Sequence, residues 1–288
     1  MAPAELNGMP QDTAFQTLKS FMFETSGNVI KEDQSYLLEA RLTPLMRQFG
    51  YESMERMVKD AYHGKNQSLA RSILDAMTTH ETQFFRDAKF WADLCQTVVA
   101  PAAARLNRGL RIWSAGCSTG QEAYSLAMLL EERFPKVASK TQIYATDVSS
   151  AAVETARAAL YSEHETSRGL DAARLARHFE RATSGVRVKK AISSRVQFSV
   201  HNLKDASPFS SMDLVLCRNV LIYFSEVDRW AIVDRLTRAL GPEALLVLGS
   251  TESLPGIKAI LPGCYERQSL GTSKAQPMQA LALARRAP

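Results

Sequence analysis

"RIWSAGCSTGQEAYSLA", residues Arg111–Ala127, decides the fold. A β-rich apolar run meets a turn carrying Gly116 and Gly120, and from Gln121 the apolar spacing turns helical. Strand, glycine turn and helix in that order open a βαβ unit, and backbone amides at such a turn commonly hold a ligand. Further short β-rich runs continue the pattern: "LRIWSA" (110–115), "QIYATD" (142–147), "RVQFSV" (195–200), "MDLVLC" (212–217) and "ALLVLG" (244–249). Helical patterns near 121–134, 149–159 and 226–240 fall between them. The alternation predicts an α/β fold with parallel crossovers and a doubly wound sheet. One gap, from "QIYATD" to "RVQFSV", is too long for a single crossover helix. It contains "SGVRVKK" (184–190), which reads as a hairpin inside a small β insert at about 161–195.

Upstream the texture is different. Leu38, Leu42, Leu45 and Phe49 recur at helical spacing before Gly50, and Leu69, Ile73 and Met77 repeat it. Met54, Met57, Val58 and Ala61 form another apolar face. Helices near 11–25, 32–49, 53–63 and 67–78 therefore build an all-helical N-terminal domain, residues 1–80. An Ala-rich helix near 87–106, within a linker at 81–107, leads to a ligand-binding domain at 108–270, and a tail at 271–288 is expected to be disordered.

Composition narrows the function. Hydrophobic residues at 45% and charged residues at 23% are ordinary for a globular protein. No apolar run approaches the roughly 20 residues of a membrane span, so no membrane insertion is expected. The first residues lack the basic and apolar regions of a secretory signal. Cys95, Cys117, Cys217 and Cys264 are scattered, as buried thiols of a reducing cytoplasm are. "HETQF" (80–84) lacks the second histidine of a zinc motif, and no metal site is expected. The +5 net charge sits mid-chain: residues 157–195 hold nine Arg or Lys against four acids. That segment reads either as a solvated face or as a docking patch for an acidic partner. No aromatic–basic interleaving points to nucleic acid.

The turn itself excludes two ligand classes. A dinucleotide fingerprint needs a third glycine, and a Walker-type loop needs Lys where Gln121 stands. A glycine turn with an acid at the next strand's end suits a ligand with a ribose and no pyrophosphate, since a carboxylate accepts two hydrogen bonds from a diol. Asp147 is that acid. On these residues alone S-adenosylmethionine, NAD and no ligand all stay open. Three stretches add polar groups at strand ends or at the domain junction: "TTHETQFFRD" (78–87), "HNL" (201–203) and "CRNVLIYF" (217–224). Singly, Asn202 and Asn219 read as turn formers and Arg86 as an ion-pair residue. Jointly they read as the edges of a ligand site.

With these motifs in order, the chain resembles the CheR family of chemotaxis protein-glutamate O-methyltransferases from about residue 10 to 270. The resemblance implies a class I, Rossmann-like methyltransferase domain behind the helical one. It implies S-adenosyl-L-methionine as cofactor, with S-adenosyl-L-homocysteine as product. Thr82 and Arg86 would approach the methionine carboxylate and sulfonium, Glu122 the amino group, and Asp147 the ribose. Asn202 and Leu203 would hold the adenine, Arg218 and Asn219 would close the pocket, and Tyr223 would lie beside the transferring methyl. Arg86 and Tyr223 are the implied catalytic pair. His80 occupies a contact position where members often carry Asn, Gln121 one of two frequent acids, and Ala123 a frequent proline. The implied partner is the cytoplasmic helical bundle of chemoreceptors, met by a cytoplasmic monomer without nucleic acid. Members that bind a receptor's C-terminal peptide carry a longer, glycine-bearing loop than "ERATSGVRVKK" (180–190), so no dependence on that tether is expected. The alternatives are a receptor of another signalling pathway or a binding-only module.

Overall fold

The computed structural model describes residues 10–106 and 108–271; the 271–288 tail, save Gly271, lies outside them. The chain forms two compact units, one running through Thr79 and taking in Tyr223–Ser225, the other comprising His80–Ile222 and the chain from Glu226 onward.

The first unit is helical: Pro10–Ser26, Tyr36–Gln48, Met54–Tyr62 and Gln67–Met77. Ser53 and Asn66 cap the last two, their side-chain oxygens accepting from Arg56 N and Leu69 N. Leu38 and Leu42 turn inward with Leu18, Met22, Met57, Val58, Leu69 and Ile73. Leu45 and Phe49, on the same expected row, are half-buried. The backbone N–H of Val29 donates to the Tyr223 carbonyl at 2.9 Å.

Among the described residues the second unit carries nine strands: β1 (Arg111–Ala115), β2 (Gln142–Asp147), β3 (Leu160–Tyr161), β4 (Phe179–Ala182), β5 (Gly185–Val188), β6 (Val196–Val200), β7 (Met212–Cys217), β8 (Leu240–Leu248) and β9 (Cys264–Glu266). The main sheet has the order β6-β2-β1-β7-β8-β9, parallel except for the antiparallel pairing of β9 with β8. Ile112, Trp113, Ser114 and Ala115 are all buried, as a strand covered on both faces must be. The five β-rich runs of the sequence thus form the first five strands of one doubly wound sheet. β8 is longer than "ALLVLG" because it begins at Leu240 beside Met212 and is interrupted by a register shift. β9 was not expected: three residues are too short for a periodic signal.

The expected helix near 87–106 is interrupted. Ala88–Leu94 and Ala100–Arg105 flank a π turn, Cys95–Val99. Pro101 supplies the cause: it lacks an N–H and its ring crowds the carbonyl four residues back, so the turn widens and Ala100 N–H reaches Cys95 O.

The insert is a three-stranded sheet of order β3-β5-β4, with Thr183 and Ser184 as the two-residue loop between β4 and β5. Phe84, fully buried, meets Tyr161 and Phe179 edge-on at centroid distances of 5.0 and 5.5 Å. Tyr161 donates its hydroxyl to the Thr119 carbonyl at 2.7 Å, tying the insert to the glycine turn. Burial pushes the Tyr161 phenol well up, so it remains a donor. Much of the basic charge is neutralised locally. Arg157, Arg168, Arg174 and Arg195 pair with Glu154, Glu81, Glu132 and Glu131, and Arg187 and Lys189 bond backbone carbonyls. Arg177, Arg181 and Lys190 are exposed. Arg157 also binds the Phe198 carbonyl, at 2.7 and 3.2 Å, and so blunts the open edge of β6.

Candidate active site

The strand order reverses beside β1: the chain winds through β2 to β6, then returns to β7 on the other flank. Ligands of open α/β sheets sit beyond the carboxyl ends of the strands at such a reversal. There the structure gathers the glycine turn after β1, Asp147 ending β2, His201–Leu203 after β6 and Arg218–Asn219 after β7.

The turn's amides face the protein. Gly116 N and Cys117 N both donate to the Thr146 carbonyl, at 2.7 and 2.9 Å, and Gly120 N to Cys117 O. Ser118 N donates to Asp147 Oδ2 at 2.8 Å, and Ser149 N to Asp147 Oδ1 at 2.9 Å. An anion cradle would need those amides turned outward. Both glycines are required at φ of +79° and +95°. A Cβ on Gly116 would stand 2.5 Å from a Val220 methyl, and one on Gly120 would stand 2.9 Å from the Ala156 Cβ.

The second feature is a buried cation. Arg218 is 6% exposed, with Nη1 3.2 Å from Glu122 Oε2 and Nη2 2.9 Å from Asp87 Oδ2. Its guanidinium stacks 3.9 Å from the centroid of Phe90, a cation–π contact. Glu122 is held from the other side by the Ser114 hydroxyl, at 2.8 Å. Arg218 Nη2 also reaches the Arg86 carbonyl at 3.4 Å, to which Trp91 Nε1 donates at 2.9 Å. The turn Phe84–Asp87 is therefore fixed by its backbone and its flanking side chains. Among the described residues the Arg86 guanidinium itself makes one long bond, 3.4 Å to the Glu81 carbonyl.

Backbone strain concentrates here. Phe85, Asp87, Ser118 and Asn219 have φ of 48°, 62°, 51° and 58°. Left-handed backbone is rare for a phenylalanine, and such residues cluster at functional sites when their surroundings hold them. Phe85 is held by its N–H, which donates to Ser125 Oγ at 2.9 Å.

These observations fit S-adenosylmethionine, which has a ribose, an amino-acid end and no phosphate. Asp147, 8% exposed, presents a carboxylate at the end of β2, and the turn offers no phosphate cradle. Arg218 Nε is a buried donor with no partner among the described residues, suited to the cofactor's carboxylate.

Residues 80–266 match the model of the CheR methyltransferase SAM-binding domain. This chain belongs to the CheR methyltransferase family. It is 39% identical over 248 residues to a chemotaxis protein methyltransferase of Pseudomonas aeruginosa, covering 83% of this chain and 90% of the relative. The corresponding figures for the Vibrio parahaemolyticus protein of that name are 35% over 251 residues, 85% and 91%. For the Escherichia coli protein they are 28% over 248 residues, 84% and 85%.

Of the residues the resemblance singled out, the CheR fold brings Arg86, Glu122 and Arg218 into one hydrogen-bonded group. His80 joins the glycine turn through its carbonyl, which accepts from Ser118 Oγ at 3.0 Å. Thr82 is half-buried in the stretch leading to Phe84. His201 N donates to Asp147 O at 2.9 Å, carrying Asn202 and Leu203 to the end of β2. Asn202 Oδ1 accepts from Lys204 N at 3.0 Å, so the side chain also forms a turn, and Leu203 is buried. Tyr223 ends the 3-10 turn Leu221–Tyr223 and groups with the helical unit.

Three participants went unseen in the sequence. Asp87 pairs with a residue 131 positions away, so only its place beside Arg86 in "FFRD" hinted at it. Ser114 lies inside an apolar run, where a lone hydroxyl was the available signal and its partner Glu122 was not visible. Glu252, which accepts from Asn219 N at 2.7 Å, lies in "STES" and carries no local motif.

Proposed function

We propose that this protein transfers a methyl group from S-adenosylmethionine to glutamate side chains of a chemoreceptor's cytoplasmic helical bundle, forming glutamate methyl esters in sensory adaptation. Its relatives are chemotaxis protein methyltransferases, and the residues gathered beyond the carboxyl ends of β1, β2, β6 and β7 suit this donor. When bound, the cofactor supplies an electrophilic methyl on a sulfonium. A glutamate with a pKa near 4.3 is already ionised at about pH 7, so the chain need supply no general base. Its task is to align the carboxylate with the methyl and exclude water, and orientation of this kind contributes roughly 7–11 kcal/mol.

The observation that carries this reading is the Arg86 turn. Backbone strain and the Arg218 contact fix the turn, while the Arg86 guanidinium keeps its charge and most of its donors for an incoming carboxylate. Arg86 orients the nucleophile and Tyr223 guides the methyl. Asp147, Asn202, Leu203, His80 and Thr82 hold the nucleoside end, with Arg218, Asn219 and Glu122 at the amino-acid end. Each ester removes one negative charge from a receptor helix, lowering repulsion between neighbouring helices. The short two-residue loop of the insert supports action without a receptor's C-terminal tether.

Peptide mapping of a receptor incubated with enzyme and S-adenosylmethionine tests the reaction. One methylene's mass added to glutamates and removed by mild base is expected. The same mass on lysine or asparagine contradicts the proposal.

A further inference from the structure

We infer that Glu252 is a positioning residue of the cofactor site, acting through Asn219; this deepens the reading of Asn219 as a cofactor contact and rests on it. Glu252 is 7% exposed and follows β8 by four residues. Its carboxylate gathers three backbone amides from two loops. Asn219 N donates to Oε2 at 2.7 Å, Gly249 N to the same oxygen at 2.8 Å, and Ile222 N to Oε1 at 3.3 Å. Glu252 N donates in turn to the Gly249 carbonyl at 2.9 Å. The loops after β7 and β8 are thus tied to one anion, which is the acceptor that left-handed Asn219 and its neighbours use for their N–H groups.

Gly249 gives independent support. A Cβ there would stand 2.8 Å from Glu252 Oε2, 2.9 Å from Asn219 Nδ2 and 3.0 Å from Asn219 N. Glu252 therefore holds the Asn219 backbone while the bare Cα of Gly249 leaves room for its side-chain amide. The same loop carries Arg218, and Ser250, beside Gly249, contacts Asp87 Oδ2 at 3.5 Å. The seat adjoins the Arg218 cluster without belonging to it.

Glu252→Gln keeps the shape and replaces one acceptor oxygen with a donor. Two readings on the full-length chain test the inference: amide hydrogen exchange at Asn219, Ile222 and Gly249 without cofactor, and S-adenosylhomocysteine affinity by calorimetry. Faster exchange at these amides and affinity weakened about tenfold are expected. In an Asn219→Ala background Glu252→Gln should cost nothing more, since both act on one contact. Gly249→Ala, whose Cβ would crowd both the Glu252 carboxylate and Asn219 and so disturb the same seat from the other side, should weaken affinity similarly and serves if Glu252→Gln does not fold. Unchanged affinity in both variants, or equal losses with and without Asn219, overturns the inference. A wild-type chain with protected amides and no affinity for S-adenosylhomocysteine overturns the proposed function, and the positioning role with it.

Discussion

Arg218 Nη2 lies 2.9 Å from Asp87 Oδ2, joining the loop after β7 to the strained turn that presents Arg86. The pair spans 131 residues of sequence and sits where Glu122 competes for the same guanidinium. Asp87 is 40% exposed, so its pairing is partly screened and is worth about 1 kcal/mol. Arg218 is different: its removal strands Glu122, 14% exposed, without its cation. Arg218→Met should cost about 3 kcal/mol, and Asp87→Asn about a third of that. Urea unfolding of both variants checks the ranking, and equal costs would show that Glu122 does not need Arg218.

Arg86→Ala should separate activity from stability. Among the described residues its guanidinium makes a single long bond, so unfolding should change by less than about 0.5 kcal/mol, within the range of surface substitutions. Methyl transfer should fall about a hundredfold, and Arg86→Lys should recover little of it because a planar fork is lost. Transfer assays and thermal melts on the same samples give both readings.

Phe84→Ala should be costly. The ring is fully buried between Tyr161 and Phe179, and deletions of this kind cost roughly 3–5 kcal/mol. Because Phe84 also anchors the Arg86 turn, surviving folded protein should have impaired transfer. A loss below about 1 kcal/mol would mean that the insert collapses onto the gap.

Acid should weaken the second unit in two stages. Burial holds His178 below its ordinary pKa despite Glu132 at 3.0 Å, and burial lowers His201 as well. Histidines favoured neutral contribute fully above the unfolded value of about 6.5 and lose that contribution as pH falls below it. For Glu132, burial pushes upward but is outweighed by Arg174 and His178, leaving its pKa depressed. Its contribution is present above about pH 4.3 and disappears as pH falls through the lowered folded value. Urea midpoints from about pH 8 to 5 should decline, and His178→Gln should flatten part of that decline.

Isolated receptor C-terminal peptide should not bind. Titration calorimetry with such a peptide should give no micromolar affinity, and deleting the peptide from a receptor should leave its methylation rate unchanged. A clear micromolar isotherm would mean that the two-residue loop between β4 and β5 suffices for the tether.

The sheet was legible in the sequence because its central strands β1 and β7 are buried on both faces and read as apolar runs bounded by turns, while the edge strand β6 shows the alternation of a half-buried strand. Asp147 was legible because a lone acid closes such a run. Its bonds to the turn were not, since an amide that serves a ligand and one that serves the protein have the same sequence. Arg218 was visible as a residue, but its partners Asp87 and Glu122 come from separate elements that only the fold brings together. Glu252 and Pro101 illustrate two further causes. The first bonds backbone rather than side chains, and the second deforms a helix by what it lacks.

The most direct measurement follows a labelled methyl group from S-adenosylmethionine onto receptor-bearing membranes and then treats the receptor band with mild base. Volatile labelled methanol from that band, absent with Arg86→Ala, is the predicted result. Label that stays on the receptor through base, or wild-type release in the Arg86 variant, would contradict carboxyl methylation oriented by the Arg86 turn.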